Sequence, residues 1–307
     1  MHQFAAKIRE LGGDATMYYP GREPVDPVVP RYRDYGVPFT RSIRDAGATD
    51  VLVVPETMTG ELYTNTRMQR WIWWLSVDNY FDVAGFDKPR KRLRRWLGLD
   101  RVYRLGEPGF GHMAQSHYAI DFLRRHGIGN VEYVSDYLGA AFLETAVASN
   151  RKREDRVLYN PRKGFDFTRK LIAAAPDVRF VPIENMTPSQ IAEVMQSSKV
   201  YIDFGHHPGK DRMPREAAIC GCCVITSRNG SAGFHEDVPI PAAFKFQRDD
   251  ESIPSVIDCI RLCLADYPGN LARFAQYRGA ILAEPGQFES QVRAFLERIR
   301  IAPGRVV

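Results

Sequence analysis

Residues 199–226, KVYIDFGHHPGKDRMPREAAICGCCVIT, are the stretch of sequence from which the fold can be inferred. The apolar runs at 199–204 and 222–226 have the length and composition of buried strands. Residues 211–220 between them suit a helix that Gly221 would end. Two strands joined through a helix by short connections predict a parallel sheet, because parallel strands need a crossover between them.

The same alternation extends on both sides of this stretch. Strands are predicted at 156–160 and 178–182, with a helix at 165–175 between them. Thr187 and Pro188 are typical of the N-cap and the first residue of another helix. Three helices are predicted after the last strand, at 251–265, 268–283 and 287–299. The second half of the chain therefore predicts a Rossmann-like domain.

The first half alternates in the same way, with longer interruptions. Its predicted helices are at 2–11, 39–47 and 117–126, and its predicted strands are at 15–19, 51–54, 71–77, 101–105, 112–115 and 131–134. A polar, charged run at 148–155 suggests a domain boundary.

We therefore expect an α/β protein with two Rossmann-like domains that face a cleft, at 1–150 and 151–285. A C-terminal helix at 286–307 is expected to pack back on the first domain. Because the chain opens in a helix rather than a strand, the first domain is expected to lack its first strand.

The composition is that of an ordinary globular protein. Among 307 residues there are 42 Lys and Arg against 37 Asp and Glu, a formal net charge of +5, and 44% of the residues are hydrophobic. The strongest apolar run, at 71–75, is far shorter than the ~18–20 residues that a membrane span needs. Five cysteines, an odd number, indicate reduced thiols and a cytoplasmic protein. These features argue against a collagen, a solenoid, a small disulfide-stabilised scaffold and an integral membrane protein.

Most of the excess positive charge lies in one segment, 88–97, which holds six basic residues and no acidic one. After Pro89 the segment suits a short helix with Leu93, Trp96 and Leu97 on one side. We favour a solvated helix whose apolar side packs on its own domain. The alternative is peripheral contact with anionic lipid at the inner face of a membrane. Nucleic acid is not expected as a partner, because no recognition module accompanies the segment.

Candidate binding residues follow the predicted strands, because in such folds ligands bind outside the carboxyl ends of the strands. Four loops of the second half lie there, at 160–164, 183–186, 205–212 and 227–233. Arg162 and Lys163 lie beside a predicted helix start, and the loop at 205–212 is rich in glycine and cations. Together these loops predict a site for a ligand that carries a diphosphate.

Residues 214–226, PREAAICGCCVIT, resemble the EAMACGxPVI segment of GT-B-fold glycosyltransferases of the group 1 type, which use nucleotide-sugar donors. Residues 158–164, LYNPRKG, are similar to their GR…KG donor loop, and 187–204 resembles their helix and strand beside the donor. In the first half, 116–131 looks like one of their strand–helix–strand segments. The resemblance implies a donor domain in the second half of the chain and an acceptor domain in the first.

The resemblance also implies roles for residues at matching positions. Arg162 and Lys163 would neutralise the donor diphosphate, and Glu216 would bind the ribose hydroxyls. Glu184 and Met186 would lie beside the base. Further donor-binding residues are expected to be Asn160, Gly209, Lys210, Asp211 and Arg212.

One position departs from the family pattern. Many retaining members carry a second glutamate eight residues before the one matched by Glu216, and this chain has Pro208 there. Lys210 and Asp211 would take over contacts to phosphate and sugar. Retention or inversion at the sugar stays open.

The implied chemistry needs neither a metal nor a cofactor, because positioned cations and helix dipoles stabilise the departing diphosphate. An inverting enzyme would also need a general base near the acceptor. Asp78, at the end of the predicted strand 71–77, is the first candidate, and the alternative interpretation is that it caps a following element. His112 and His117 are further candidates for the base.

The expected function is transfer of a sugar from a nucleoside diphosphate sugar to a glycan or lipid-linked acceptor, as in the synthesis of cell-surface polysaccharides. One alternative is a non-catalytic relative that binds a nucleotide sugar or a partner protein. Another alternative is an epimerase with the same fold.

Overall fold

The computed structural model describes residues 1–21, 24–144 and 152–299 of the chain. Half of the run at 148–155 (residues 148–151) and the last residues of the expected C-terminal helix, 300–307, lie outside this part. The contacts group the chain into two compact units. The first unit holds Met1–Asp136 and the described residues from Gly286 onward, and the second unit holds Tyr137–Pro285. Each is an α/β structure on a parallel sheet, which confirms the predicted class of two Rossmann-like domains.

The first unit begins with a helix. Its helices are α1 (His2–Glu10), α2 (Val77–Ala84), α3 (Pro89–Trp96) and α4 (His117–Arg125). Its strands are β1 (Met17–Tyr18), β2 (Phe39–Thr40), β3 (Val51–Pro55), β4 (Gln69–Trp74), β5 (Gly111–Ala114) and β6 (Val131–Tyr133). Strands β3 to β6 form one parallel sheet in chain order, and β1 pairs with β2 separately. In the part of the chain that the structure describes, no strand precedes α1. The carboxyl ends of β3 to β6 lie at a common edge of the sheet.

Three predicted elements of the first half are wrong. The predicted helix at 39–47 is replaced by β2, whose residues pair with β1, and by turns. The predicted strand at 71–77 ends at Trp74, because Ser76 is an extended N-cap and α2 begins directly after it. The segment 101–105 forms no strand. Its residue Tyr103 is instead buried in the core, with its ring 6.3 Å from that of Trp74.

The long helix α11 (Ala275–Ile299) contributes to both units. Its residues up to Pro285 belong to the second unit, and those from Gly286 belong to the first. In the first unit the ring of Phe295 lies 5.5 Å from Phe4 and 5.1 Å from Trp71. The C-terminal half of α11 is therefore part of the core of the first unit.

The second unit begins before the boundary that the sequence suggested. A short helix, α5 (Ala140–Leu143), belongs to it, because Leu138 and Phe142 pack in its core. Its other helices before α11 are α6 (Phe165–Ala174), α7 (Pro188–Gln196), α8 (Arg212–Ile219), α9 (Ile253–Ala265) and α10 (Tyr267–Ala272). Its strands are β7 (Glu154–Tyr159), β8 (Arg179–Pro182), β9 (Ser198–Asp203), β10 (Cys223–Ser227) and β11 (Lys245–Phe246).

Up to β10 these elements match the predicted order of strands and helices. The short strand β11 was not predicted, and the predicted helices at 268–283 and 287–299 are wrong, because α10 ends at Ala272 and α11 continues through Pro285. Thr187 caps α7 as predicted: its hydroxyl accepts from the Gln190 backbone at 3.3 Å, and the Gln190 side chain accepts from the Thr187 backbone at 2.8 Å. The sheet has the parallel order β11-β10-β9-β7-β8. The order reverses between β7 and β9, which makes their carboxyl ends the topological switch point at which ligands bind in open sheets of this kind.

The five cysteines are free thiols, and Cys220, Cys222, Cys223 and Cys263 are buried in the second core. These four cysteines are therefore packing residues of that core. None of the helices in the described ranges combines the length and the apolar character that crossing a membrane requires.

Candidate functional site

The switch point of the second sheet brings two predicted residues together. Lys163, in the loop after β7, lies with Nζ 2.9 Å from Oδ1 of Asp211, at the start of α8. The loops approach so closely that one position must be glycine. Gly164 has φ of +63°, and a Cβ there would lie 2.2 Å from the Phe204 carbonyl oxygen. Because α6 begins directly after Gly164, this close packing places the N-terminus of α6 at the carboxyl edge of the sheet.

A buried histidine organises the loop between β9 and α8. His207 is fully buried, in the left-handed conformation with φ of +49°. Its Nδ1 lies 3.0 Å from Oδ2 of Asp211, and its Nε2 lies 3.4 Å from Oδ1 of Asp203. Asp203 also accepts hydrogen bonds from the Tyr201 hydroxyl at 2.8 Å and from the Gly205 backbone at 3.0 Å. The neighbouring His206 is exposed, so the two adjacent histidines lie in different surroundings.

The two neighbouring carboxylates favour the charged form of His207. Burial by itself would lower the pKa of His207, but the neighbouring Asp203 and Asp211 outweigh it and raise the pKa above its usual value. Burial would likewise raise the pKa of Asp211, but His207 and Lys163 lower it. Asp203, His207 and Asp211 could each offer a ligand atom to a metal ion, since these atoms lie within 4.8 Å of one another. The three side chains therefore form a compact cluster that links the end of β9 to the start of α8.

The loop after β10 packs against the same segment. The Ser231 backbone donates to the His207 carbonyl at 2.9 Å, and its hydroxyl donates to the Gly209 carbonyl at 2.6 Å. The Ser227 hydroxyl donates to the Gly205 carbonyl at 3.1 Å. The predicted donor residue Gly209 is buried in this contact. The carbonyl groups of the loop between β9 and α8 are thus held by hydrogen bonds from a second loop.

The predicted cations differ in whether a carboxylate of the protein already pairs with them. Lys163 is 42% exposed beside Asp211, and Arg212 is 58% exposed with Nη2 3.0 Å from Oε1 of Glu216. Arg162 is exposed, and within the described ranges no carboxylate pairs with it. At this edge of the sheet, Arg162 is therefore the cation most available to an anionic ligand.

Lys210 is instead committed to a buried ion pair. Its Nζ lies 3.0 Å from Oε1 of Glu284, and the Arg215 guanidinium lies 2.9 Å from Oε2 of the same carboxylate. Arg215 is 1% exposed and also donates to the Lys210 carbonyl at 3.1 Å. Sequence reasoning missed Arg215 and Glu284, whose contact joins positions far apart in the chain. The Glu284 carboxylate thus attaches the start of α8 to α11 through Lys210 and Arg215.

The remaining predicted donor residues lie beside these loops. Asn160 accepts from the Arg162 backbone at 2.9 Å, and its Nδ2 lies 3.2 Å from Sδ of Met213. Glu184 is exposed and Met186 is half-buried after β8, the neighbour of β7. Burial and the charge of Glu184 raise the pKa of Tyr159.

In the first unit, the three predicted candidates for a general base lie in different surroundings. Asp78 is half-buried in the first turn of α2, which fits its interpretation as a residue near a helix cap. Burial, the charge of Asp78 and a hydrogen bond to it raise the pKa of Tyr118. His117 is the first residue of α4, with its ring 4.9 Å from Tyr133.

His112 is a packed core residue. It is 5% exposed, its Nδ1 accepts from the Trp74 indole at 3.2 Å, and its Nε2 lies 3.4 Å from the Tyr103 hydroxyl. Burial lowers the pKa of His112 to about 4, so the ring is neutral at physiological pH. Both ring nitrogens are occupied by other side chains, and this leaves neither for a substrate.

Sequence reasoning missed a buried carboxyl group at the carboxyl edge of the first sheet. Glu56 directly follows β3, is 3% exposed, and accepts from the Leu75 backbone at 2.8 Å. Burial raises the pKa of Glu56 from 4.5 to about 7, against the opposing effect of backbone hydrogen bonds. The rule that selected residues after the strands of the second half would have selected Glu56 as well.

Comparison with known proteins finds similarity in structure. No family model and no curated protein sequence matches the chain. A glycosyltransferase from Rickettsia africae aligns with a TM-score of 0.60 and 9% identity, over 98% of this chain and 93% of its own. Sucrose-phosphate synthase from Thermosynechococcus elongatus aligns with a TM-score of 0.57 and 16% identity, over 97% and 89%.

A third similar structure is a mutant of S. aureus TarM in complex with UDP and alpha-GlcNAc-glycerol. It aligns with a TM-score of 0.53 and 12% identity over 84% of this chain, which spans 56% of the length of TarM. At these low sequence identities, the similarity shows the fold alone. The resemblance seen in the sequence is therefore confirmed for the fold. The chain has the GT-B glycosyltransferase-like fold.

Proposed function

We propose that this chain is a glycosyltransferase that takes a sugar from a nucleoside diphosphate sugar and passes it to a glycan or lipid-linked acceptor. The observation that carries the proposal is the pair Arg162 and Lys163 at the switch point of the second sheet, beside the N-terminus of α6. Two cations and a helix N-terminus favour a diphosphate at that position. The complex of TarM with UDP supports a nucleoside diphosphate as the ligand of this fold.

The proposed mechanism uses charge that is already in place. As the bond from the sugar to the diphosphate breaks, negative charge grows on the leaving phosphate oxygens, and Arg162 and Lys163 would stabilise it. Asp211 and its partner His207 hold Lys163 in position before the donor binds. Glu216, Glu184 and Met186 are proposed to bind the nucleoside, as the resemblance implies. No metal is required in this scheme.

We assign the acceptor to the first unit. Asp78, half-buried after β4, remains the proposed base if the enzyme inverts the sugar. His117 is a second candidate, and the packed ring of His112 is not. The free cysteines agree with a reducing compartment, so we place the reaction in the cytoplasm, where precursors of cell-surface polysaccharides would be its products.

Donor binding tests the site. We expect one or more nucleoside diphosphates to bind the purified chain, and Arg162→Ala to weaken that binding roughly tenfold to a hundredfold, as for the loss of a hydrogen bond to a charged group. Lys163→Ala and Glu216→Gln should also weaken binding. Arg169→Ala removes an exposed cation of α6 that lies outside the loop at 160–164, and it should leave affinity unchanged. Unchanged affinity in all three site variants would contradict the proposed site.

Turnover tests the reaction. Nucleotide sugars are incubated with glycan and lipid-linked acceptors, and release of nucleoside diphosphate is followed with and without EDTA. We expect nucleoside diphosphate to be released only when the acceptor is present, and at the same rate with and without EDTA. A modified free sugar formed without an acceptor would indicate an epimerase. Binding without any turnover would indicate a non-catalytic relative, for which Pro208 in place of a family glutamate is the motivating observation.

A further inference from the structure

The α2–α3 surface, formed by residues 81–99, holds more exposed large hydrophobic residues than any other segment of comparable length that the structure describes. Seven of the thirteen large hydrophobic residues that are exposed in the described part of the chain lie there. They are Phe81, Val83, Phe86, Leu93, Trp96, Leu97 and Leu99. Such a concentration on a folded unit is typical of a surface that meets a partner.

Helix α3 turns its apolar side away from the protein. Leu93, Trp96 and Leu97 lie on one side of the helix and are 56%, 81% and 54% exposed. No residue of α3 is buried. The interpretation that this side packs on its own domain is therefore wrong, because the opposite side of the helix makes the contacts.

Basic side chains on that opposite side attach α3 to the end of α2. Arg95 donates to the Ala84 carbonyl at 2.6 Å and to the Gly85 carbonyl at 3.2 Å, and Lys91 donates to the Val83 carbonyl. Cations at the C-terminus of a helix also interact favourably with its dipole. These contacts fix the rotation of α3 about its axis, so the apolar side stays directed outward.

The remaining cations flank the apolar side. At 100° per residue, Arg90 and Arg92 lie on either side of the stripe of Leu93, Trp96 and Leu97. Both are exposed, and in the described ranges neither has a carboxylate partner. Asp100 is occupied by Arg94 at 2.6 Å, and the exposed Asp82 and Asp87 lie outside α3. The rim of the apolar stripe is therefore positively charged.

We propose that the α2–α3 surface docks the protein on an anionic phospholipid bilayer. An outward apolar stripe with a tryptophan suits the boundary between headgroups and acyl chains, and flanking arginines suit the phosphate level. The charge complements an anionic surface, and a short helix of this kind gives reversible, peripheral binding. The proposal does not depend on glycosyl transfer, and its test needs neither donor nor acceptor.

Vesicle binding by the full chain tests the proposal. We expect co-sedimentation with vesicles that mix phosphatidylglycerol and phosphatidylcholine, and little with pure phosphatidylcholine. Binding should weaken as ionic strength rises through about 0.15 M, where the Debye length is about 8 Å. The emission of Trp96, the most exposed tryptophan, should shift to the blue on binding. No binding to anionic vesicles at low salt would overturn the proposal.

Two variants separate the two contributions. Arg90→Ala with Arg92→Ala should lower the partition coefficient about thirtyfold, as for the loss of two basic residues at the surface. Trp96→Ser should lower it about tenfold or more and abolish the blue shift. Arg124→Ala with Arg169→Ala, and Leu262→Ser, remove exposed residues elsewhere and should bind as the unaltered chain does. Circular dichroism checks that each variant is folded.

Two results would count against the bilayer as the occupant. One is equal vesicle binding by all variants. The other is self-association of the unaltered chain, without vesicles, that Trp96→Ser abolishes, since this would assign the surface to a second copy of the chain. Sedimentation equilibrium in the absence of lipid measures the second outcome. Vesicle binding and sedimentation equilibrium use neither donor nor acceptor, so a chain that transfers no sugar would give the same results.

Discussion

At the scale of single residues, His207 links the parts of the candidate donor site. It joins the end of β9 to the start of α8 through Asp203 and Asp211, and Asp211 in turn holds Lys163. Because its pKa is raised in the folded protein, protonated His207 contributes stability that is fully present below the ordinary pKa of histidine. That contribution is lost as the pH rises through the raised pKa.

We therefore predict that His207→Gln destabilises the protein more at low pH than at high pH. The loss should be roughly 3 kcal/mol near pH 6, as for removal of one partner of a buried ion pair, and smaller near pH 9. Urea unfolding followed by circular dichroism measures it. His206→Gln, at the exposed neighbour, should show little change at either pH. An equal loss at both pH values would contradict the protonated state.

Glu56 affects stability in the same direction, because its pKa is also raised in the folded protein. Its pKa is raised from 4.5 to about 7, so the folded protein holds its proton more tightly than the unfolded chain, and stability falls as the pH rises through this range. Glu56→Gln removes the titration and keeps an acceptor for the Leu75 backbone. As the pH rises from about 5 to about 8, the free energy of unfolding of the variant should increase relative to that of the unaltered chain, by at most about 3 kcal/mol.

Urea titrations followed by tryptophan fluorescence measure this difference, because Trp73 and Trp74 are buried in the same unit as Glu56. Glu297→Gln, which alters an exposed carboxylate of that unit, is the matched control and should show no such trend. A stability difference that stays constant with pH would mean that Glu56 is ionised throughout.

The sequence supports prediction of some site residues better than others, for physical reasons. Lys163 and Asp211 follow from a general rule about strand ends, and the structure brings them together. Glu56 satisfies the same rule and could have been found. Lys210 could not be assigned from sequence, because its partner Glu284 is brought to it only by tertiary packing. Local patterns show where a cation lies, and they do not show what it pairs with.

At the scale of elements, the loop after β10 supports the loop that carries His207. Gly230 has φ of +52°, and a Cβ there would lie 2.1 Å from the His207 carbonyl oxygen. Such an overlap with backbone cannot be relieved by a side-chain rotation. The close packing of these two loops therefore depends on this glycine.

We predict that Gly230→Ala destabilises the protein by about 2 kcal/mol or more and weakens nucleoside diphosphate binding. Gly279→Ala is the matched control: Gly279 lies within α11, and a Cβ there meets no atom within 4 Å. That variant should be about 0.5–1 kcal/mol more stable, from helix propensity alone. Urea midpoints and titration with the nucleotide give both quantities. Equal behaviour of the two variants would contradict the packing argument.

Elements whose ends are marked by capping residues were predicted well, and elements without such residues were not. Helix α7 has a capping box at Thr187 and was placed correctly. The segment 71–77 was predicted to be one strand because its residues are apolar, although Ser76 occupies the N-cap position of α2, where its side chain makes no cap hydrogen bond. The short strand β2 is held by pairing with β1, which is a contact from another part of the chain. Propensity alone does not determine such short segments.

At the scale of the whole molecule, the chain order of the elements does not fully determine which unit contains them. Helix α11 begins in the second unit and ends in the core of the first, where Phe295 packs on Phe4 and Trp71. The sequence predicted a terminal helix that packs back on the first domain. The tryptophans of the chain are Trp71, Trp73, Trp74 and Trp96, so fluorescence reports on the first unit alone.

We predict that Phe295→Ala destabilises the first unit by about 3–5 kcal/mol, because it removes a buried ring from an aromatic cluster and leaves a cavity. The midpoint of urea unfolding detected by tryptophan fluorescence should fall accordingly. Leu282→Ala, at a 52% exposed position in the part of α11 that belongs to the second unit, is the matched control and should leave that midpoint unchanged. If Phe295→Ala left the fluorescence midpoint unaltered, the C-terminal half of α11 would have no part in the core of the first unit.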